Sequence, residues 1–89
     1  MKRIYKYAYD SAMQGGPWQI EATKGATPVA FQWQNSAPTV WVELDPGKVP
    51  ASMHFWLAAT GQPIPDRGAY VGTIQYPTSG LVFHLYQIK

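Results

Sequence analysis

The segment Thr60-Gly61-Gln62-Pro63-Ile64-Pro65-Asp66-Arg67-Gly68 gathers the residue types best suited to holding an anion. A glycine lets the backbone approach a ligand, a threonine supplies a hydroxyl, and an arginine offers two parallel donors to a phosphate. With Pro63 and Pro65 restricting the chain, this is a candidate phosphate cradle built on Thr60, Gly61 and Arg67. It is not a P-loop, because the G-x-x-x-x-G-K-S/T spacing is absent, and no G-x-G-x-x-G follows a strand. The same composition also suits an ordinary surface connection whose prolines lower the entropy of the unfolded chain.

Basic and aromatic residues interleave once, in Lys2-Arg3-Ile4-Tyr5-Lys6-Tyr7. On a strand, Lys2 and Lys6 share one face while Arg3, Tyr5 and Tyr7 share the other, a pattern that can stack a base and neutralise a phosphate. An edge strand protected by charge has the same pattern. Trp41 adds a further ring for stacking, so the expected ligand-binding set is Tyr5, Tyr7, Trp41, Thr60, Gly61 and Arg67. The two histidines, His54 and His84, lack a metal-binding spacing such as H-x-x-x-H. Ser11, Ser36, Ser52 and Ser79 have no G-x-S-x-G elbow, and the acids Asp10, Glu21, Glu43, Asp45 and Asp66 fall mostly at turns or strand ends. No residue is therefore assigned a catalytic or metal role, no cofactor is expected, and the reading is of a protein that is not an enzyme.

At 89 residues the chain holds one domain, residues 1–89, and buries a smaller share of its surface than a larger domain would. The absence of cysteine removes disulfides, zinc ribbons and thiol nucleophiles. Seven Lys and Arg against five Asp and Glu give a net charge of +2, and the charges are dispersed, which does not suit a binder of long nucleic acids. A small anionic ligand needs only a few donors. No run is long and apolar enough to span a bilayer, and residues 1–7 lack the apolar stretch of a secretory signal, so a soluble, intracellular protein is expected.

Eight glycines and eight prolines punctuate short segments that alternate in hydrophobicity. This predicts an all-β domain, a small antiparallel sandwich or partly open barrel of about six or seven strands. The strands are expected over 3–9, 18–22, 29–34, 39–44, 53–60, 70–76 and 81–88, with a break at Gln14-Gly15-Gly16-Pro17 and hairpin connections at 35–38 and 77–80. Residues 53–60 also contain good helix formers, but their alternation favours a strand. The core sides are expected to carry Val29/Phe31/Trp33, Val40/Val42/Leu44, Met53/Phe55/Leu57 and Leu81/Phe83/Leu85. Trp41, Glu43, His54, Trp56, His84 and Tyr86 then share a second face, too aromatic for plain solvent. Such a face needs a covering element, another subunit or a flat ligand; a second layer made from Tyr5, Tyr7, Tyr9 and Trp18 is the alternative. Trp56, His84 and Tyr86 are the expected interface residues, and a homo-oligomer is expected.

Five stretches carry a resemblance: Ile4-Tyr5-Lys6-Tyr7; Val40-Trp41-Val42-Glu43-Leu44-Asp45-Pro46; Thr60-Gly61-Gln62-Pro63-Ile64-Pro65; Tyr70-Val71-Gly72-Thr73-Ile74-Gln75; and Leu81-Val82-Phe83-His84-Leu85. Over nearly the whole chain the pattern resembles a family of short bacteriophage proteins of unknown function. Where that family usually has G-T-G-H-P-I, this chain has Ala59-Thr60-Gly61-Gln62-Pro63-Ile64, replacing a glycine and a histidine. The resemblance implies a phage protein acting in the cytoplasm of an infected cell. By analogy of class, it implies an accessory or counter-defence factor that sequesters a small phosphorylated ligand, such as a cyclic nucleotide immune signal, without converting it. The alternative is a protein-binding module, either an inhibitor of a host protein or a small virion component, that uses the aromatic sheet face.

Overall fold

Alternation of apolar and polar side chains, broken by glycine and proline, produces seven strands and no helix among the described residues. The structure, a computed structural model, describes residues 1–10 and 15–89. Ser11 and Gln14, which figured in the sequence reading, lie outside the described residues. The strands are β1 (Arg3–Ala8), β2 (Gly16–Thr23), β3 (Thr27–Gln34), β4 (Ala37–Leu44), β5 (Pro50–Ala59), β6 (Gly68–Gln75) and β7 (Val82–Ile88). They form a three-stranded sheet, β1-β4-β3, and a four-stranded sheet, β2-β5-β7-β6, with every pairing antiparallel. The all-β expectation holds, as an open sandwich rather than a closed barrel. β5 is a strand because Met53, Phe55 and Leu57 all face inward and both of its edges are paired, with β2 and β7. Tertiary pairing overrides the helix propensity of its alanines and leucine.

The core lies between the two inner faces. Val40, Val42, Leu44 and Phe31 from one sheet meet Ile20, Met53, Phe55, Leu57, Ile74 and Leu85 from the other, all buried. Tyr9 stands edge-on to Trp18, with ring centroids 5.2 Å apart, and Trp18 tilts against Phe55 at 5.7 Å. Trp33, Tyr76 and Phe83 make a second aromatic cluster, at 4.4 and 5.0 Å. Burial raises the pKa of the Tyr9 phenol, whose oxygen accepts a hydrogen bond from the Gly15 N–H at 2.7 Å.

The sandwich is joined differently along its two sides. On one side β6 lies against β3: a Cβ added to Gly72 would stand 3.1 Å from the Phe31 Cβ. On the other, the Tyr7 hydroxyl reaches from β1 to the Glu21 carbonyl on β2 at 3.0 Å. All four edge strands carry features that discourage pairing with another chain. β1 has Arg3 and Lys6, β2 has Pro17 and Glu21, and β3 and β6 are interrupted by bulges at Val29 and Val71.

Two expected core positions are corrected. The bulge in β3 turns Val29 outward, to 49% exposure, because the extra residue shifts the alternation by one. Leu81 is 53% exposed because it belongs to the turn before β7, where its carbonyl accepts the Tyr76 N–H. The expected second face is also divided. Trp41 and Glu43 lie on the outside of the three-stranded sheet, whereas His54, Trp56, His84 and Tyr86 lie on the outside of the other. Tyr9 and Trp18 belong to the core itself, Tyr7 packs against it, and Tyr5 is 44% exposed.

The tight turns have local causes. Asp45-Pro46-Gly47-Lys48 closes through the Lys48 N–H to the Asp45 carbonyl, and the Gly47 N–H donates to the Asp45 carboxylate at 2.9 Å, holding its pKa below the ordinary carboxylate value. Between β3 and β4 the two-residue loop Asn35-Ser36 has positive φ at both positions, 50° and 65°, as the twist of a tight hairpin requires. Asparagine tolerates that region, but serine pays a steric cost in it. Ser36→Gly is therefore expected to stabilise the fold by about 1 kcal/mol in urea unfolding; a destabilised variant would show that the Ser36 side chain contributes more than its backbone strain costs.

Candidate functional site

β5 and β6 both run antiparallel to β7, so they are parallel to each other with β7 between them. The intervening chain, residues 60–67, must return along the length of the sheet. It begins with a β-turn in which the Gln62 N–H donates to the Ala59 carbonyl at 3.0 Å, with Gly61 at the third position and φ of 92°. A type II turn needs this conformation there, and glycine adopts it freely. The Gln62 side-chain oxygen accepts from the Ala59 N–H at 2.9 Å, tying the turn a second time. Pro63 and Pro65 hold fixed φ values and favour extended chain before each of them. The crossover ends where the Gly68 N–H donates to the Pro65 carbonyl and the Lys89 N–H to the Arg67 carbonyl.

This crossover runs over the outer face of the four-stranded sheet. A Cβ on Gly68 would sit 3.1 Å from the Tyr86 Cβ, and Ile64 lines a depression together with His84 and Tyr86. The covering element expected for the aromatic face is thus a segment of the same chain, which leaves Trp56, His84 and Tyr86 half-buried. Beneath it, Pro17, Trp56, Tyr86 and Tyr70 stand directly opposite one another across all four strands, and Tyr70 meets Tyr86 edge-on at 5.7 Å.

In the next register along, Ala58, His84 and Thr73 form a second row. His84 is held at both ring nitrogens: Nε2 is 2.9 Å from Thr60 Oγ1 and Nδ1 is 3.0 Å from Thr73 Oγ1. Thr73 Oγ1 lies 2.6 Å from the Tyr70 hydroxyl. Two proton arrangements satisfy this chain, with hydrogens running from Tyr70 towards Thr60 or the reverse. In both, no imidazole nitrogen is left over. The order of hydroxyl, imidazole and second hydroxyl matches nucleophile, base and orienting group in outline, but Thr73 is neutral where a carboxylate would be needed to stabilise an imidazolium.

Two depressions flank Gln62. One, of about 220 Å³, is lined by Thr60, Gly61, Ile64, His84 and Tyr86 with Gln62; the other, of about 260 Å³, is lined by Gly15, Gly16, Trp56 and Pro63 with Gln62. Four of the residues singled out from sequence, Thr60, Gly61, His84 and Tyr86, therefore meet in one place, and Trp56 adjoins them. Arg67 does not join them. Thr60 bonds to Val82 at one end of β7 and Arg67 to Lys89 beyond the other, roughly 20 Å away by strand rise. Tyr5 and Tyr7 point to the inner side of the other sheet, opposite Val42 and Val40, and Trp41 points to its outer side beside Lys6. Lys6 donates to Gln34 at 2.9 Å, and Lys2 pairs with Glu43 at 3.1 Å. His54 and His84 share a face but stand four strand positions apart, roughly 13 Å, and among the described residues no three potential metal ligands gather.

Tyr70 and Thr73 were not identified from sequence as partners of His84. Three positions apart, they would face opposite sides of a regular strand. The bulge at Val71 returns Thr73 to the outer face, and the sign of it was Gly72, a glycine inside an otherwise strand-like run. Thr60-Gly61, Pro63-Ile64, Gly72-Thr73 and Val82-Phe83-His84, stretches that carry the resemblance, all come together here.

Because nothing surrounds the Gly61 Cβ position within 4 Å, the cost of a side chain there is conformational alone. Gly61→Ala is expected to lose about 1 kcal/mol of stability in urea unfolding, and an unchanged midpoint would contradict the turn assignment.

No curated protein and no solved structure matches the chain. No helix among the described residues is long and apolar enough to cross a membrane. The family model described as Domain of unknown function (DUF7352) matches residues 1–89. The chain belongs to that family, along its whole length.

Proposed function

We propose that this chain is a non-catalytic binding protein that takes a nucleotide by its base in the depression at the head of the crossover. The observation that carries the reading is the row Thr60, His84, Thr73 and Tyr70, which fixes polar groups beside the Tyr86 ring. A flat heteroaromatic ring has a face for Tyr86 and polar edges for Thr60 and Gln62, which is the combination the depression offers. Preorganisation favours binding, because the imidazole and hydroxyls lose little freedom when a ligand arrives. Thr73, the partner of His84 Nδ1, carries no charge to stabilise an imidazolium, which supports binding without conversion. Arg67 stands too far off to reach the phosphate of a mononucleotide bound here, and the base is the part recognised. In a phage-infected cell such a protein would act by sequestering its nucleotide.

Thermal shift and calorimetry against nucleosides, mononucleotides and cyclic nucleotides test this. A ligand present at about 100 times its Kd stabilises by about 2.7 kcal/mol, a melting shift of about 10–20 °C for a chain this short. The bound ligand is expected back intact after denaturation, and Tyr86→Leu is expected to abolish the shift. No stabilisation by any of them overturns the reading, and a hydrolysed ligand overturns its non-catalytic part.

A second reading, self-association, rests on the other sheet. Trp41 sits half-buried on the middle strand of a three-stranded outer face that no crossover among the described residues covers, with Ile4 beside it at 59% exposure. The chain also exposes 5627 Å² where a monomer of 9.9 kDa exposes about 5,200 Å². A second copy covering this face would bring the balance back. Sedimentation at micromolar concentration is expected to show a dimer that Trp41→Ala dissociates; a monomeric parent chain would remove the reading.

A further inference from the structure

The two depressions beside the crossover share one lining residue, Gln62. Neither alone reaches the roughly 300 Å³ at which sites for larger organic ligands begin, but the two combined exceed it. They are chemically alike. Each has an aromatic ring, Tyr86 in one and Trp56 in the other, and these rings stand opposite one another on neighbouring strands. Each has a glycine that keeps its rim low, Gly61 in one and Gly16 in the other, both with positive φ and with nothing within 4 Å of the Cβ position. Between them stands a polar amide, anchored through its oxygen to the Ala59 N–H.

We infer that the site takes a ligand with two flat rings joined by a polar linker, one ring against Tyr86 and the other against Trp56, with the linker crossing over Gln62. This rests on the base-binding reading above and narrows it to dinucleotides. A phosphodiester linker suits the position: the amide of Gln62 carries donors as well as the acceptor already used, and linker phosphates need no buried charge where they cross an exposed side chain. The arrangement also gives Trp56 a function distinct from packing, since it lies on the outer face and contributes nothing to the core cluster.

The test compares each mononucleotide with the linear and cyclic dinucleotides of the same base by calorimetry. Dinucleotides are expected to bind at least tenfold more tightly than the mononucleotide. Trp56→Leu is expected to bring dinucleotide affinity down to the mononucleotide level while leaving mononucleotide binding unchanged, and Gln62→Leu, which removes a contact to the base as well as to the linker, is expected to weaken both classes, the dinucleotides by the larger factor. A far-ultraviolet circular dichroism spectrum and melting temperature close to those of the parent chain verify that each variant is folded. Equal affinity for one-base and two-base ligands overturns the two-ring inference and leaves the base-binding reading standing. Failure of every nucleotide to bind overturns that reading, and this inference with it.

Discussion

The placement of β7 between two strands that run the same way is the constraint on which the rest of the four-stranded sheet depends. Parallel strands cannot be joined by a tight hairpin, and most crossovers use a helix that covers the sheet. Here eight residues, 60–67, do the work of that helix. So short a connection has to be extended and stiff, which accounts for Pro63 and Pro65, and it has to turn sharply as it leaves β5, which accounts for Gly61. It is also too narrow to cover a four-stranded face. The aromatic row beneath is therefore shielded along one line and open on either side, and the two depressions are what remains uncovered.

The same constraint explains why the residues around His84 come from three distant parts of the chain. Thr60 arrives with the crossover, Thr73 with the outermost strand and His84 with the strand between them. Neither of the two strand-borne positions, Thr73 and His84, survives a shift of register by one residue, because such a shift sends the side chain to the opposite face. The bulge at Val71 is thus part of the site as well as of the sheet.

Much of this was legible in the sequence where the period of two ran without interruption. Val40, Val42 and Leu44, and Met53, Phe55 and Leu57, face inward as their alternation requires. Trp56, His84 and Tyr86 share a surface for the same reason. What could not be read was anything that depends on pairing between distant strands. Trp41 and Trp56 have the same local pattern, yet they lie on opposite sides of the molecule because β4 and β5 belong to different sheets. Arg67 and Thr60 are seven positions apart in a segment that looked like a closed loop, but the crossover stretches them to opposite ends of β7. Val29 was misplaced and Thr73 passed over through one cause, a single extra residue in a strand, announced in β6 by Gly72 and in β3 by Pro28, the proline next to the bulge.

The contact between Gly72 and Phe31 has a kinetic meaning. Among the described residues only two pairings join strands that are neighbours in sequence, β3 with β4 and β6 with β7, and each sheet contains one of them. Loop-closure entropy favours these two hairpins as the earliest structures to form. Their edge strands, β3 and β6, are the ones that meet where Gly72 lies against Phe31, so the two early units already fit each other before the remaining strands arrive. β1 and β2 must find partners far along the chain, Arg3 opposite Leu44 and Trp18 opposite Phe55. The order of assembly that follows runs from the β3–β6 side towards the β1–β2 side, and the Tyr7 hydroxyl on Glu21 is the last clasp to close and the first to open.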